Sequence, residues 1–163
     1  MWRPGFKFED LKKASISGWE RRLWHSSIDH RGSREFPGRV ATIVRKKYGL
    51  CKGLAYRVHD LKWQETIDYL DEREKSGYKR MVIATEIQNI GLIETVTYIS
   101  FPKEDWVMPE KKDKDLMRFF LNAVGESGDN LNYLMMLGRT LDQFNIQDEH
   151  VSNLLRLLEE KKI

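Results

Sequence analysis

The stretch Tyr69-Leu70-Asp71-Glu72-Arg73-Glu74-Lys75-Ser76-Gly77-Tyr78 ends a predicted helix on a carboxylate that helical geometry turns inward. At about 100° per residue, Trp63, Ile67, Leu70 and Glu74 share one stripe, because steps of four, seven and eleven residues return to nearly the same azimuth. Glu65, Asp68 and Glu72 point toward water. A helix over residues 62–75 with its stop at Gly77 places Glu74 one turn before a glycine terminator. Burial on the apolar stripe and the negative end of the helix both penalise the charged form, lifting the pKa from about 4.3 toward the range where a general base or acid works at neutral pH. The competing reading stops the helix at Arg73 and leaves Glu74 in solvent.

Outward from this helix the pattern is α+β. Residues 18–26 read as a strand, with Trp19, Leu23 and Trp24 among charged residues, and residues 39–45 and 50–58 read as two more, joined by a Lys46-Lys47-Tyr48-Gly49 turn. After the helix, residues 79–87 and 92–100 are β-branched strands flanking a Gln88-Asn89-Ile90-Gly91 hairpin turn. A polar connection runs from Phe101 to Lys114, predicted as a surface loop or lid edge, and the remainder is helical. Residues 114–124 form one helix, Gly125-Glu126-Ser127-Gly128 breaks it, Asp129 or Asn130 caps a second, and Asp148 caps a third. Strands first and helices later, without an internal repeat, predict a small mixed β-barrel wrapped by helices in a single domain over residues 1–163.

Composition narrows the function classes. With 40% hydrophobic and 33% charged residues the 163-residue chain is an ordinary globular one, large enough for one core. The net charge of +3 arises from 28 basic and 25 acidic residues interleaved along the chain, which describes a mixed solvated surface and not a polyanion-binding one. No apolar run approaches the roughly 18 residues of a membrane span, and the N-terminus lacks a signal-peptide core, so a cytoplasmic protein is expected. Cys51 is the single cysteine, which rules out an internal disulfide and a thiolate metal cluster. His25, His30, His59 and His150 show no metal-ligand spacing, and no metal is expected.

Asp29-His30-Arg31-Gly32, Pro37-Gly38-Arg39-Val40, Gly53-Leu54-Ala55-Tyr56-Arg57, Arg73-Glu74-Lys75-Ser76-Gly77-Tyr78, Ser127-Gly128-Asp129-Asn130 and Tyr133-Leu134 occur in an order and spacing that resembles the ChaC-type γ-glutamylcyclotransferases, the glutathione-degrading branch of that superfamily. The resemblance covers residues 1 to about 141, with a poorly matching middle over residues 86–114. It implies a cofactor-free reaction in which the α-amine of a γ-glutamyl group attacks its own γ-carbonyl, releasing 5-oxoproline and, from glutathione, cysteinylglycine. Glu74 is then the acid/base. The resemblance also implies a Tyr-Gly-Ser-Leu segment that closes a first strand and wraps the γ-glutamyl group. Met1-Trp2 matches the pair that follows that segment, so segment and first strand are expected to be missing from residues 1–163, either because the protein starts upstream of residue 1 or because the chain is a truncated relative that lost them.

The remaining candidates carry two readings each. Arg31 either meets a substrate carboxylate or, with Asp29, holds a turn. Tyr78 and Tyr133 either offer hydroxyls to substrate or make structural hydrogen bonds, the usual fate of a buried tyrosine. Glu65, off the apolar stripe, is expected at the surface. The substrate expected is glutathione or another γ-glutamyl peptide. A second reading keeps the fold without catalysis, as a truncated relative acting as a binding module. A third, a nucleic-acid module built on Trp19, Arg21, Arg22 and Trp24, conflicts with the strand alternation that makes the tryptophans core.

Overall fold

The computed structural model describes residues 4–101 and 112–160. Its main ribbon is a pair of long antiparallel strands, β1 (Asp10–Ser27) and β2 (Gly38–Arg57). The expected turn at residues 46–49 does not end a strand. Pairing steps from Ser17–Leu50 to Trp19–Arg45, so these four residues bulge from β2 with Tyr48 at φ 62° while the ribbon continues. The lysine-rich first half of β1, weak in strand signal, is held by its pairing with the second half of β2.

After a single helical turn at Asp60–Lys62 come α1 (Trp63–Arg73) and a hairpin of β3 (Lys79–Ile87) and β4 (Gly91–Ile99). Helix α2 (Asp113–Asn122) follows, then the two-residue strands β5 (Val124–Gly125) and β6 (Gly128–Asp129), α3 (Asn130–Gln143) and α4 (Glu149–Glu160). Asp129 caps α3 by accepting the Asn132 N–H at 2.6 Å, and Asp148 caps α4 by accepting the Val151 N–H at 3.1 Å. Most of the polar connection expected over residues 101–114 lies outside the described residues, as does the strand expected upstream of residue 1.

The sheet corrects the barrel expectation. Its order is β2-β1-β3-β4, and it stays open. Among the described residues β1 meets β3 only at Ala14–Ile87 and Ser15–Glu86. Where the outer edges of β2 and β4 approach each other, a side chain intervenes: Thr42 Oγ1 accepts the Ser100 N–H at 3.2 Å and donates to the Ser100 carbonyl at 3.1 Å. A hydroxyl filling both bonds leaves no room for a strand ladder there.

The core lies where the helices cover one face of the ribbon. Leu23 and Trp24 from β1 pack with Phe120, Leu134 and Leu154 from α2, α3 and α4, and Trp19, Cys51 and Ile99 form a smaller cluster. Both tryptophans of the nucleic-acid reading are therefore interior. Arg21 pairs with Asp148, and Arg22 with Glu20 at 2.7 Å. Among the described residues no helix is long and apolar enough to cross a membrane.

The outer edge of β2 is satisfied by side chains. Asn130 accepts the Arg39 N–H at 2.6 Å and donates to the Arg39 carbonyl at 2.8 Å, copying both bonds a neighbouring strand would supply. Two residues on, the Tyr133 hydroxyl accepts the Ala41 N–H at 3.1 Å and the Tyr78 hydroxyl donates to the Ala41 carbonyl at 2.6 Å. Removing the amide in Asn130→Ala leaves two buried backbone groups without partners. It is expected to cost about 2–4 kcal/mol and to lower Tm by roughly 5–15 °C in a calorimetric or fluorescence melt.

Candidate active site

Helix α1 ends at Arg73, as the competing sequence reading has it, yet Glu74 does not reach solvent. Its backbone N–H still bonds the Leu70 carbonyl at 2.9 Å, so the residue keeps its inward azimuth. Its side chain is 15% exposed. The chain then turns through Gly77, whose φ of 93° favours glycine, and the Tyr78 N–H returns to the Glu74 carbonyl at 3.3 Å. Burial raises the Glu74 pKa above its ordinary value. Arg73, with Nε 3.4 Å from Oε1, and His30 oppose the rise, while Asp29 adds to it.

Glu74 borders a cavity of about 630 Å³. Arg31, Tyr78 and Tyr133 line the same hollow, so all four residues singled out in the sequence come together. Arg31 is 7% exposed. It donates through Nη1 to the Asp129 carbonyl at 3.3 Å and lies over the Tyr133 ring at 5.6 Å, while its own N–H donates to Ser27 Oγ at 3.0 Å. The two tyrosine hydroxyls bond the Ala41 backbone, which is the structural role anticipated for buried tyrosines. Burial raises both of their pKa values, so both are neutral phenols around pH 7. Glu65 lies at the surface and pairs with Lys62 at 2.7 Å. Burial also pushes the Cys51 thiol up, in keeping with low reactivity.

Two motifs far apart in sequence form one wall. The loop Asp29-His30-Arg31-Gly32 lies against the β5–β6 turn, where the Glu126 N–H bonds the Asp29 carbonyl and the Ser127 N–H bonds the His30 carbonyl, both at 2.9 Å. Gly125 makes this approach possible: a Cβ there would sit 2.3 Å from the Asp29 carbonyl oxygen and 2.5 Å from the Arg31 nitrogen. His30 Nδ1 and Ser127 Oγ complete the contact at 3.0 Å.

Sequence reasoning passed over His25, Asp29, His30 and Ser76, which also line the cavity. His25 is 2% exposed, bonded through Nδ1 to Ser100 Oγ at 2.8 Å, with its ring 4.2 Å from that of Tyr78. Only its place beside Trp24 in a strand signalled burial. Asp29 and His30 stand inside the Asp29-His30-Arg31-Gly32 motif, in which the arginine carries the plainer carboxylate-binding signal. Ser76 gave no signal beyond its place beside the glycine stop, and it donates to Asp29 Oδ2 at 3.0 Å.

The family model described as ChaC-like protein matches residues 1–161. The human "Glutathione-specific gamma-glutamylcyclotransferase 1" is 28% identical over 93% of this chain and 71% of its own length. The "Glutathione-specific gamma-glutamylcyclotransferase" of Schizosaccharomyces pombe is likewise 28% identical, over 93% of this chain and 83% of its own. The crystal structure of a γ-glutamylcyclotransferase specific to glutathione from yeast superposes with a TM-score of 0.88 at 21% identity, covering 99% of this chain and 95% of that one. The chain belongs to the ChaC-like family. Its mixed α+β fold, with one main antiparallel sheet and, among the described residues, four α-helices, matches the yeast structure.

His25 carries a testable consequence. Burial lowers its pKa from 6.5 to about 4, outweighing the bond to the Ser76 backbone and the nearby Asp29, which favour the proton. As pH falls from 6.5 toward about 4, the unfolded chain takes up a proton that folded His25 refuses, so stability drops through that window. Denaturant titrations at a series of pH values should show His25→Gln losing less stability on acidification than the wild type, by roughly 2–3 kcal/mol at the acid end.

Proposed function

We propose that this ChaC-like chain is a γ-glutamylcyclotransferase that degrades glutathione, releasing 5-oxoproline and cysteinylglycine, with Glu74 as general base and acid. The observation that carries the reading is a carboxylate of raised pKa, sheltered at the rim of a cavity large enough for a tripeptide. The family match and the names of its relatives supply the substrate class. No cofactor takes part. A cytoplasmic location is part of the same reading.

Glu74 first takes a proton from the substrate α-ammonium and passes it to water. The freed amine attacks the γ-carbonyl carbon, and its nitrogen gives a second proton to Glu74. The bond from the γ-carbonyl carbon to the cysteinyl nitrogen then breaks, its electron pair staying on that nitrogen, which receives the proton from Glu74. The product amine completes its own ammonium from solvent. Because the nucleophile belongs to the substrate, folding the γ-glutamyl group into a near-attack conformer supplies much of the rate. Arg31, Arg73 and His30 on the cavity wall favour the negative charge that develops on the carbonyl oxygen and meet the substrate carboxylates. Tyr78 and Tyr133 hold the wall through Ala41 and present their rings to the substrate.

Incubation of the purified protein with glutathione should release 5-oxoproline, and Glu74→Gln should lower kcat by about 10²–10⁴. Folding raises the Glu74 pKa, so this group's effect on stability worsens as pH climbs through the raised value, and the charged carboxylate is a net cost above it. At neutral pH the inactive Gln variant should therefore melt at or above the wild-type temperature. Full turnover by Glu74→Gln would remove the assignment.

A further inference from the structure

Glu74 is not the only carboxylate on the cavity wall. Among the described residues that line it, Asp29 is the other acid. It follows the end of β1, and its oxygens are held on three sides: Oδ1 accepts the His30 N–H and, at 3.2 Å, the Ser27 hydroxyl, and Oδ2 accepts the Ser76 hydroxyl at 3.0 Å. Ser76 stands two residues beyond Glu74 in the turn that ends α1. The Asp29–Ser76 bond thus ties the loop after β1 to the turn that follows Glu74, on the wall of the same hollow.

The two acids are tuned in opposite directions. Partial burial would raise Asp29, but the hydrogen bonds from His30 and Ser76, the His30 charge and the Ser27 bond outweigh it and hold its pKa below the ordinary value. Glu74, facing Arg73 on its own helix, His30 and Asp29 on the loop after β1, and Tyr78 and Tyr133 nearby, is shifted up. Opposed environments of this kind separate a constant anion from a group that exchanges protons.

The substrate class proposed above carries one cationic group, its α-ammonium, at the atom where the reaction begins. Each time Glu74 is protonated it ceases to attract that nitrogen. A second carboxylate that stays ionised supplies the missing hold. We infer that Asp29 is the residue that binds the substrate α-ammonium, keeping the nitrogen beside Glu74 through the proton transfers. The inference rests on the γ-glutamylcyclotransferase reading and adds a recognition rule to it: ligands are selected for a free α-amine before any chemistry occurs.

The test uses glutathione and its deamino analogue, glutaryl-cysteinylglycine, in which hydrogen replaces the α-amine. Binding of both is measured calorimetrically at neutral pH to Glu74→Gln, which holds substrate without turning it over, and to the same protein carrying Asp29→Asn. Glutathione should bind Glu74→Gln about tenfold or more tightly than the analogue, and Asp29→Asn should erase that difference while leaving analogue affinity unchanged. A preference that survives Asp29→Asn overturns the inference, and so does an equal weakening of both ligands, which would make Asp29 only a structural support. If neither ligand binds and the wild type releases no 5-oxoproline, the function itself fails and the inference falls with it. If 5-oxoproline is released but the preference is indifferent to Asp29, the inference alone fails.

Discussion

The outer edge of β2 at Arg39 and Ala41 is the constraint from which the site follows. A strand edge exposes N–H and C=O groups that must be paired wherever water is excluded. Here the partners are the side chains of Asn130, Tyr133 and Tyr78, drawn from the first turns of α3 and from the turn after α1. Meeting the demand of one short edge fixes where α3 begins and where the chain goes after Glu74. The cavity is the space left between these attachments. Tyr78 and Tyr133 on its wall are anchored to that backbone.

Within that space the proposed chemistry rests on the contrast between two acids of one wall. Glu74 is shielded by the azimuth of α1 and surrounded by groups whose influences partly cancel, with burial prevailing. Asp29, two residues before Arg31, is clasped by an amide and two hydroxyls and remains an anion. Close packing of the β5–β6 turn on the loop after β1, allowed by Gly125, brings cationic Arg31 to the same hollow. On the proposed reading, a zwitterionic substrate would meet matching charges on a surface that is otherwise largely aromatic and aliphatic.

How much of this was legible in the sequence depended on whether the deciding force was local. The helical stripe through Trp63, Ile67, Leu70 and Glu74, with Gly77 to stop it, is a local signal, and it turned the carboxylate inward even though Trp63 stays 46% exposed and the helix ends two residues sooner than expected. The caps at Asp129 and Asp148 were equally readable. Lys46-Lys47-Tyr48-Gly49 misled because the residues that make a turn also make a bulge, and only the continuing pairing with β1 distinguishes them. Barrel closure was misjudged for a similar reason. It depends on whether two distant edges meet through backbone or through a side chain such as Thr42, which no periodicity encodes. His25, Asp29 and Ser76 act through partners remote in sequence, so only the assembled wall reveals them.

The central claim is that folding holds the Glu74 carboxyl in a sheltered place where its proton is retained beyond the ordinary range. A direct reading is the pH titration of its side-chain carboxyl carbon by NMR in protein labelled with ¹³C-glutamate, with the resonance assigned by its absence in Glu74→Gln. The account predicts a midpoint above the ordinary value of 4.5, returning toward 4.5 when the protein is unfolded in denaturant. A midpoint at or below 4.5 in the folded protein would contradict it.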